Sequence, residues 1–292
     1  MKTLHALKLE FRRIAHERLP YHWLEGLLLS VIDKPKSFLI TNDEYRLSDD
    51  EFAKLQDGIT QMQKGVPLAY VIGEAHFYGR AFAVNAHTLI PRPDTEILVE
   101  AALDFAKNAA KNNAKNHAKN SPDDKLRILD LGTGSGCIAI TLAKELPDSD
   151  VLAVDFSDEA LQIARQNALG LGAINCEFMQ SSWYQSLTYD TPKFHIIVSN
   201  PPYIADDDVH LADLKAEPIT ALVANDNGLA DIKIIITGAK NHLHAGGLLA
   251  IEHGYNQGAA VRALFAAAGF SGIATVKDYG DNERVTLGVW QE

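Results

Sequence analysis

The chain of 292 residues contains little cysteine, little positive charge and no long apolar run. Its cysteines, Cys137 and Cys176, are too few for a disulfide framework and favour a reducing compartment. A formal net charge of −11 argues against a general affinity for phosphate backbones. The apolar stretch at residues 27–32 is too short to span a bilayer, and the N-terminus lacks the apolar core of a signal peptide. These absences predict a soluble cytoplasmic protein that binds neither membranes nor nucleic acid directly.

The first part of the chain has the apolar spacing of helices. Leu4, Leu7 and Phe11 recur at intervals of three and four residues. Residues 48–51, Ser-Asp-Asp-Glu, have the spacing of a capping box that opens a further helix. No catalytic motif occurs in this part. We therefore predict a helical N-terminal domain over residues 1–73.

A change of pattern follows at residues 74–90, where aromatic and β-branched residues surround a Gly-Arg pair. This pattern predicts a β-hairpin that links two domains. It leads into Pro91-Arg-Pro-Asp-Thr-Glu96, where two prolines stiffen the chain before a helix. Arg92 and Glu96 lie on this junction, and they have either a functional role or the role of a surface ion pair.

The remaining chain alternates short apolar strands with helices, as in a doubly wound parallel sheet. The predicted strands are residues 127–131, 151–155, 176–179, 194–199, 248–252, 273–277 and 284–290, and helices are predicted from Cys137, Asp158 and Leu229. The link at residues 278–282 is too short for a crossover helix, so the last strand should run antiparallel. Residues 106–125 repeat Ala-Lys-Asn and predict a frayed helix tail or a mobile loop. We expect an α/β catalytic domain over residues 91–292, joined by the hairpin linker at residues 74–90.

A glycine-rich loop, Asp130-Leu-Gly-Thr-Gly-Ser-Gly136, follows the first predicted strand of this domain. Its glycines let the backbone approach a ligand, and the helix that follows favours negative charge at its N-terminus. Asp155 ends the next strand, where its carboxylate can accept both hydroxyls of a ribose. Together they predict a nucleoside-bearing cofactor. Cys137 stands where the dinucleotide fingerprint requires its third glycine, which argues against a dinucleotide.

A second motif, Asn200-Pro201-Pro202-Tyr203, follows the apolar strand at residues 194–199. Two prolines stiffen the exit from the strand and leave Asn200 at its carboxyl end, where open α/β sheets bind ligands. The amide oxygen of Asn200 and the carbonyl of Pro201 can take the two hydrogens of a flat NH₂ group, while Tyr203 covers its face. The alternative is an Asn-Pro turn with a buried tyrosine.

These motifs resemble S-adenosylmethionine-dependent methyltransferases with a Rossmann-like sheet, and more closely the protein-(glutamine-N5) methyltransferases called PrmC or HemK. The resemblance covers nearly the whole chain and rests on the helical N-terminal domain, the hairpin's Phe77-Tyr-Gly79, and residues 91–96, 132–136, 200–203 and 252–254. It implies methyl transfer from S-adenosyl-L-methionine to the glutamine of the Gly-Gly-Gln motif in peptide chain release factors. Release factors would then be the partners, and the N-terminal domain would help to bind them.

The same resemblance implies roles for individual residues. The implied cofactor contacts are Gly132, Thr133, Gly134, Ser135, Gly136, Asp155, Trp183 and Asn200, and the implied substrate contacts are Asn200, Pro201, Pro202 and Tyr203. Within the second set, Asn200, Pro201 and Tyr203 are the expected catalytic residues. One departure affects the site, because Ser182 stands where the family commonly has an acid, and a serine is a weaker acceptor for the adenine amino group.

Three other functions are weighed against this one. A glutamine methyltransferase of a ribosomal protein has similar chemistry, and the form of residues 91–96 favours the release-factor enzyme. A nucleic-acid methyltransferase acting on adenine N6 or guanine N2 faces the same problem of a flat amine, but the charge of −11 argues against it. A cofactor-binding module without catalysis conflicts with the intact Asn200 and Tyr203. No metal site is expected, and His195 and His253 are expected either to pack or to support residues that contact the ligands.

Overall fold

A computed structural model describes residues 2–115 and 125–291, and the chain divides into two compact units, Met1–Glu74 and Ala75–Glu292. The part of the predicted Ala-Lys-Asn segment at residues 116–124 lies outside the described residues. Among the helices described, none is long and apolar enough to cross a membrane.

The first unit is helical. Its helices are α1 (Leu4–Ile14), α2 (Tyr21–Ile32), α3 (Phe38–Thr41), α4 (Asp49–Gln63) and α5 (Leu68–Ile72). The predicted capping box opens α4, because the Ser48 hydroxyl accepts from the Glu51 N–H at 3.2 Å while the Glu51 carboxylate accepts from the Ser48 N–H at 2.7 Å. The apolar face of α1, which includes Leu4 and Phe11, is fully buried against the other helices of the unit.

A hairpin of β1 (Glu74–Phe77) and β2 (Arg80–Ala83) follows. Tyr78 and Gly79 form its turn, with φ of 49° and 71°. Two successive positive φ angles match the twist of a tight hairpin. The Tyr78 N–H donates to the Glu96 carboxylate at 2.7 Å, so that Glu96 holds the turn.

The second unit is built around a seven-stranded sheet within the described residues. The strands are β3 (Arg127–Leu131), β4 (Asp150–Asp155), β5 (Cys176–Gln180), β6 (Phe194–Ser199), β7 (Leu243–Glu252), β8 (Ser271–Lys277) and β9 (Glu283–Val289), in the order β5-β4-β3-β6-β7-β9-β8. The first five pair in parallel, whereas β9 runs antiparallel between β7 and β8. The predicted Rossmann-like sheet with an antiparallel last strand is confirmed.

Helices cover both faces of the sheet. They are α6 (Glu96–Lys115), α7 (Cys137–Glu145), α8 (Asp158–Leu171), α9 (Asn225–Gly228), α10 (Ala230–His242) and α11 (Gly258–Ala267). Side chains alternate along each buried strand, so Ile196 packs with α6 and α7 on one face, and Ile197 packs with α10 and α11 on the other. Strand order reverses between β3 and β6, which opens a crevice at their carboxyl ends.

Candidate active site

The glycine-rich loop leaves β3 with all three glycines at positive φ: 73° at Gly132, 56° at Gly134 and 82° at Gly136. The three have different surroundings. A Cβ on Gly134 would meet open space, and one on Gly132 would lie 3.3 Å from the Trp183 ring. A Cβ on Gly136 would lie 2.7 Å from Ile140. At Gly132 and Gly134 the backbone therefore faces the crevice without a side chain. Gly136 instead allows the start of α7 to pack closely against neighbouring side chains.

Two buried carboxyl groups hold this loop. Asp130 accepts a hydrogen bond from the Thr133 hydroxyl at 2.6 Å, and burial raises the pKa of Asp130 to about 7. Asp155, at the end of β4, accepts from the N–H of Gly134 at 2.8 Å and from the N–H of Ser157 at 3.0 Å. Burial raises the pKa of Asp155, and these backbone donors oppose the shift. Asp155 thus faces the crevice with its carboxylate anchored to two chain segments.

The segment after β5 forms the next wall of the crevice. Trp183 has a left-handed backbone, with φ of 51°, and its indole N–H donates to Asp231 at 3.2 Å. Ser182 is exposed and lies beside it on the wall. Asp231, on α10, is a site residue that the sequence gave no reason to select, because its role depends on the packing of α10 against the loop after β5.

Asn200 leaves β6 with its amide NH₂ already engaged. Nδ2 donates to the Thr95 hydroxyl at 3.1 Å, so the side-chain carbonyl oxygen is left to accept from a ligand. Pro201 is buried and Pro202 is half-buried. The Tyr203 hydroxyl donates to the Glu252 carboxylate at 3.3 Å, and burial raises the pKa of that hydroxyl.

The backbone of Tyr203 is held as closely as its side chain. Its carbonyl accepts from Gln257 Nε2 at 2.9 Å. A Cβ on Gly228 would lie 2.0 Å from the same carbonyl oxygen, so only glycine fits at that position. The Asn-Pro-Pro-Tyr turn is therefore rigid because of its contacts as well as its prolines.

Among the described residues no ion pair joins Arg92 to Glu96, and each carries a different contact. The Arg92 guanidinium binds Glu217, whose side chain is 2 % exposed and also accepts from the Ile90 N–H at 3.1 Å. Glu217 thereby joins the segment before α6 to the loop between β6 and α9. Both segments contribute residues to the wall of the crevice.

The crevice encloses a cavity of about 690 Å³ at the carboxyl ends of β3, β4, β5 and β6. Of the residues predicted for the site, its wall contains Gly132, Thr133, Gly134, Ser135, Asp155, Trp183, Asn200 and Pro202. The other three, Gly136, Pro201 and Tyr203, are not among the residues that line the cavity. Wall residues that sequence reasoning missed include Phe156, Thr95 and Asp231. Phe156 follows the selected Asp155 and Thr95 lies in the selected segment 91–96, so these two have a positional signal, whereas Asp231 has none.

The two histidines near strand ends are engaged in packing. His195 Nδ1 accepts from the Arg127 N–H at 3.0 Å, and its ring lies 4.6 Å from that of His244 at a tilt of 34°. His253 is fully buried between the Gly254 carbonyl and the Thr286 hydroxyl, at 2.9 and 2.8 Å. Neither ring lies on the described wall of the cavity.

Comparisons with known proteins match both units of the chain. Residues 11–73 match the family model described as PrmC N-terminal domain, and residues 122–279 match the model described as Methyltransferase domain. The chain is 41% identical over 290 residues to a release factor glutamine methyltransferase of Escherichia coli (strain K12), covering 99% of each chain. It is 44% identical over 267 residues to the protein of the same name from Vibrio cholerae, covering 91% of this chain and 88% of the other.

Solved structures support the fold. The catalytic domain of hMettl16, in complex with MAT2A 3′UTR hairpin 6, superposes with a TM-score of 0.56 and covers 90% of this chain and 92% of its own. Its sequence identity of 15% limits the likeness to the fold.

Proposed function

The chain belongs to the family of release factor glutamine methyltransferases, and we propose that it methylates the side-chain amide nitrogen of the glutamine in a release factor's Gly-Gly-Gln motif. The observation that carries this proposal is Asn200, which follows β6 on the wall of the cavity, with its NH₂ engaged and its carbonyl oxygen left to accept. An amide NH₂ is the group that such an oxygen can orient. The cofactor is S-adenosyl-L-methionine.

The residues of the cavity suit that cofactor. Gly134 has open space where a side chain would project, so its backbone can lie against a ligand. Asp155 is anchored at the tip of β4 and would accept the ribose hydroxyls. The backbone of residues 132–135 and the side chain of Trp183 would hold the rest of the nucleoside and the methionine part. When bound, S-adenosylmethionine supplies an electrophilic methyl group on a sulfonium.

The protein's contribution at the substrate is orientation. A glutamine amide nitrogen is a poor nucleophile because its lone pair is delocalised into the carbonyl. The Asn200 oxygen and the Pro201 carbonyl would each accept one N–H, and the nitrogen could then direct its lone pair toward the methyl group. Tyr203 would support the flat amide from behind the turn. Such acceptors stabilise the reacting amide only if they are held in position before the substrate binds. The hydrogen bonds of Tyr203 to Glu252 and Gln257 support this, because they hold the turn that carries both acceptors.

The substrate is inferred to be a protein reached in the cytoplasm. The charge of −11 gives no general attraction to nucleic acid, and a chain with two cysteines suits a reducing compartment. We infer that the N-terminal helical domain, residues 1–73, adds a surface for gripping the release factor, since it carries no catalytic motif.

The test is methylation of a purified release factor with labelled S-adenosylmethionine, followed by peptide mass spectrometry. The added methyl is expected on the glutamine of the Gly-Gly-Gln peptide, and a release factor with that glutamine replaced by alanine is the matched control. Asn200→Ala should lower kcat by at least about 100-fold while cofactor binding is partly retained. Label found in RNA, in DNA or on a ribosomal protein, and not on the release factor, would overturn the assignment.

A further inference from the structure

The side chain of Gln257, which stands between β7 and α11, is hydrogen-bonded to three separate segments of the second unit. Its Oε1 accepts from the Gly254 N–H at 2.8 Å. Its Nε2 donates to the Tyr203 carbonyl at 2.9 Å and to the Asn227 carbonyl at 3.0 Å. The amide thereby joins the Asn-Pro-Pro-Tyr turn to α9 and to the loop after β7.

The polarity of these three partners requires an amide at position 257. Each partner is a backbone group, so the Gly254 N–H can only donate and the two carbonyls can only accept. A glutamine side chain ends in one acceptor oxygen and two N–H hydrogens, which match the three partners one for one. A glutamate of the same length would satisfy the N–H and would place a carboxylate oxygen against the two carbonyls.

Gln257 is itself anchored by its backbone. Its N–H donates to the Gly254 carbonyl at 2.9 Å, and its carbonyl accepts from the Val261 N–H of α11 at 3.0 Å. Val261 is fully buried in the core that α11 shares with the sheet. The amide therefore extends from a fixed point, and it can resist movement of the segments that it contacts.

The segment that packs against the turn has a backbone that needs such support. Asp226, Asn227 and Gly228 are three successive residues in the left-handed region, with φ of 57°, 53° and 80°. Residues with a side chain disfavour this region, so contacts from elsewhere must keep the segment in it. Gly228 lies against the turn, because a Cβ there would be 2.0 Å from the Tyr203 carbonyl oxygen. Gln257 binds a carbonyl on each side of this contact and so holds α9 and the turn together.

We propose that Gln257 is a positioning residue for methyl transfer, which fixes the Asn-Pro-Pro-Tyr turn relative to the cofactor cavity. The inference rests on the proposed function, because the turn carries Asn200 and Pro201, the two acceptors for the substrate amide. Gln257 is not among the residues that line the cavity, so it acts without touching cofactor or substrate. Without its hydrogen bonds the turn is free to shift, and a displacement of about 1 Å at a reacting group can cost about 100-fold in rate.

The experiment compares Gln257→Glu and Gln257→Met with the wild-type chain on a purified release factor. The first variant keeps the acceptor for Gly254 and repels the two carbonyls, and the second removes all three hydrogen bonds without adding charge. Gln257→Glu should lower kcat by about 100-fold and Gln257→Met by at least about 10-fold. S-adenosylmethionine affinity, measured by calorimetry, and KM for the release factor should each stay within about threefold. Rates are expressed per cofactor-binding site from the calorimetric stoichiometry, so that unfolded protein does not count.

Val261→Ala is the matched control for a merely structural role. It removes buried methyl groups from the helix that anchors Gln257, and it leaves the three side-chain hydrogen bonds in place. It should lower the thermal midpoint, because it leaves a cavity in the core, and should keep kcat per binding site within about twofold.

Two results would overturn the role of Gln257: wild-type kcat per binding site in both of its variants, or an equal loss of kcat in Val261→Ala. If Gln257→Glu does not fold, Gln257→Met decides. A wild-type chain that binds S-adenosylmethionine and leaves the release factor unmethylated would overturn the proposed function itself. Methylation by the wild type together with unaffected Gln257 variants would overturn the positioning role alone.

Discussion

Asp155 has a structural task beside the one predicted for it. Its oxygens accept from the backbone of Gly134 and Ser157, and the same group lies on the wall of the cavity. The predicted task was the ribose contact alone. The hydrogen bond from Gly134 shows that Asp155 also holds the glycine-rich loop in place, because a backbone N–H in the crevice needs an acceptor.

Replacing Asp155 with alanine should weaken S-adenosylmethionine binding by about 10- to 100-fold. The variant loses a charged acceptor, and hydrogen bonds to charged groups contribute about 1.5–3 kcal/mol. Calorimetry on the folded variant checks this, with circular dichroism to confirm the fold. Asp148→Ala, an exposed carboxylate off the cavity wall, is the control and should bind as wild type does. Equal affinities in the two variants would remove Asp155 from the cofactor site.

At the scale of elements, the strands were predicted more accurately than the helices. The limits predicted for β3 and β6, residues 127–131 and 194–199, are those of the structure. Fully buried strands read as short apolar runs with clear ends. Helix α11 was not predicted, because Gly258 begins it and it lacks a capping side chain. The predicted β7 was also short by five residues at its start, since Gly246 and Gly247 interrupt its apolar pattern.

Substitution of Gly136 tests whether the start of α7 requires a glycine. Gly136→Ala should cost about 1–3 kcal/mol of unfolding free energy, because its φ of 82° is strained for alanine and its Cβ would lie 2.7 Å from Ile140 and 3.1 Å from Ala164. Gly170→Ala, within α8, has no atom within 4 Å of the new Cβ and should stabilise by about 0.5–1 kcal/mol. Urea denaturation of both variants measures the difference. Equal stabilities would show that α7 does not need the close approach at Gly136.

Across the whole molecule, buried carboxyl groups make stability depend on pH. Burial raises the pKa of Asp130 and of Glu252 to about 7 in the folded chain, from ordinary values near 4. The folded state then holds more protons than the unfolded state between about pH 4 and 7. The stability that these groups contribute is present below pH 4 and is lost as the pH rises through about 7.

Asp130→Asn should therefore flatten the fall in unfolding free energy between pH 5 and pH 8 relative to the wild-type chain. Each unit of raised pKa corresponds to about 1.4 kcal/mol, so the difference between the two chains should change by roughly 2 kcal/mol across this range. Denaturant unfolding at several pH values measures it. Parallel curves for the two chains would show that Asp130 titrates normally in the folded state.

The sequence by itself determined the fold class, the family and the chemistry of the site. Local patterns suffice for these. The spacing of apolar residues, the spacing of glycines and the Asn-Pro-Pro-Tyr motif after a strand each lie within one element or at one strand end. The exact division into residues 1–73, 74–90 and 91–292 stays a prediction. The individual contacts with cofactor and substrate also stay predictions.

Only the tertiary structure decided which residues support the site. Thr95, Glu217 and Glu252 lie on different elements and are brought to the crevice by strand order and helix packing. Nothing local marks a glutamate at residue 252 as the partner of a tyrosine at residue 203, because their contact depends on β6 and β7 being neighbours in the sheet. The hydrogen bonds behind the Asn-Pro-Pro-Tyr turn are thus a property of the assembled sheet: side chains distant in sequence share buried hydrogen bonds only once the strands are paired.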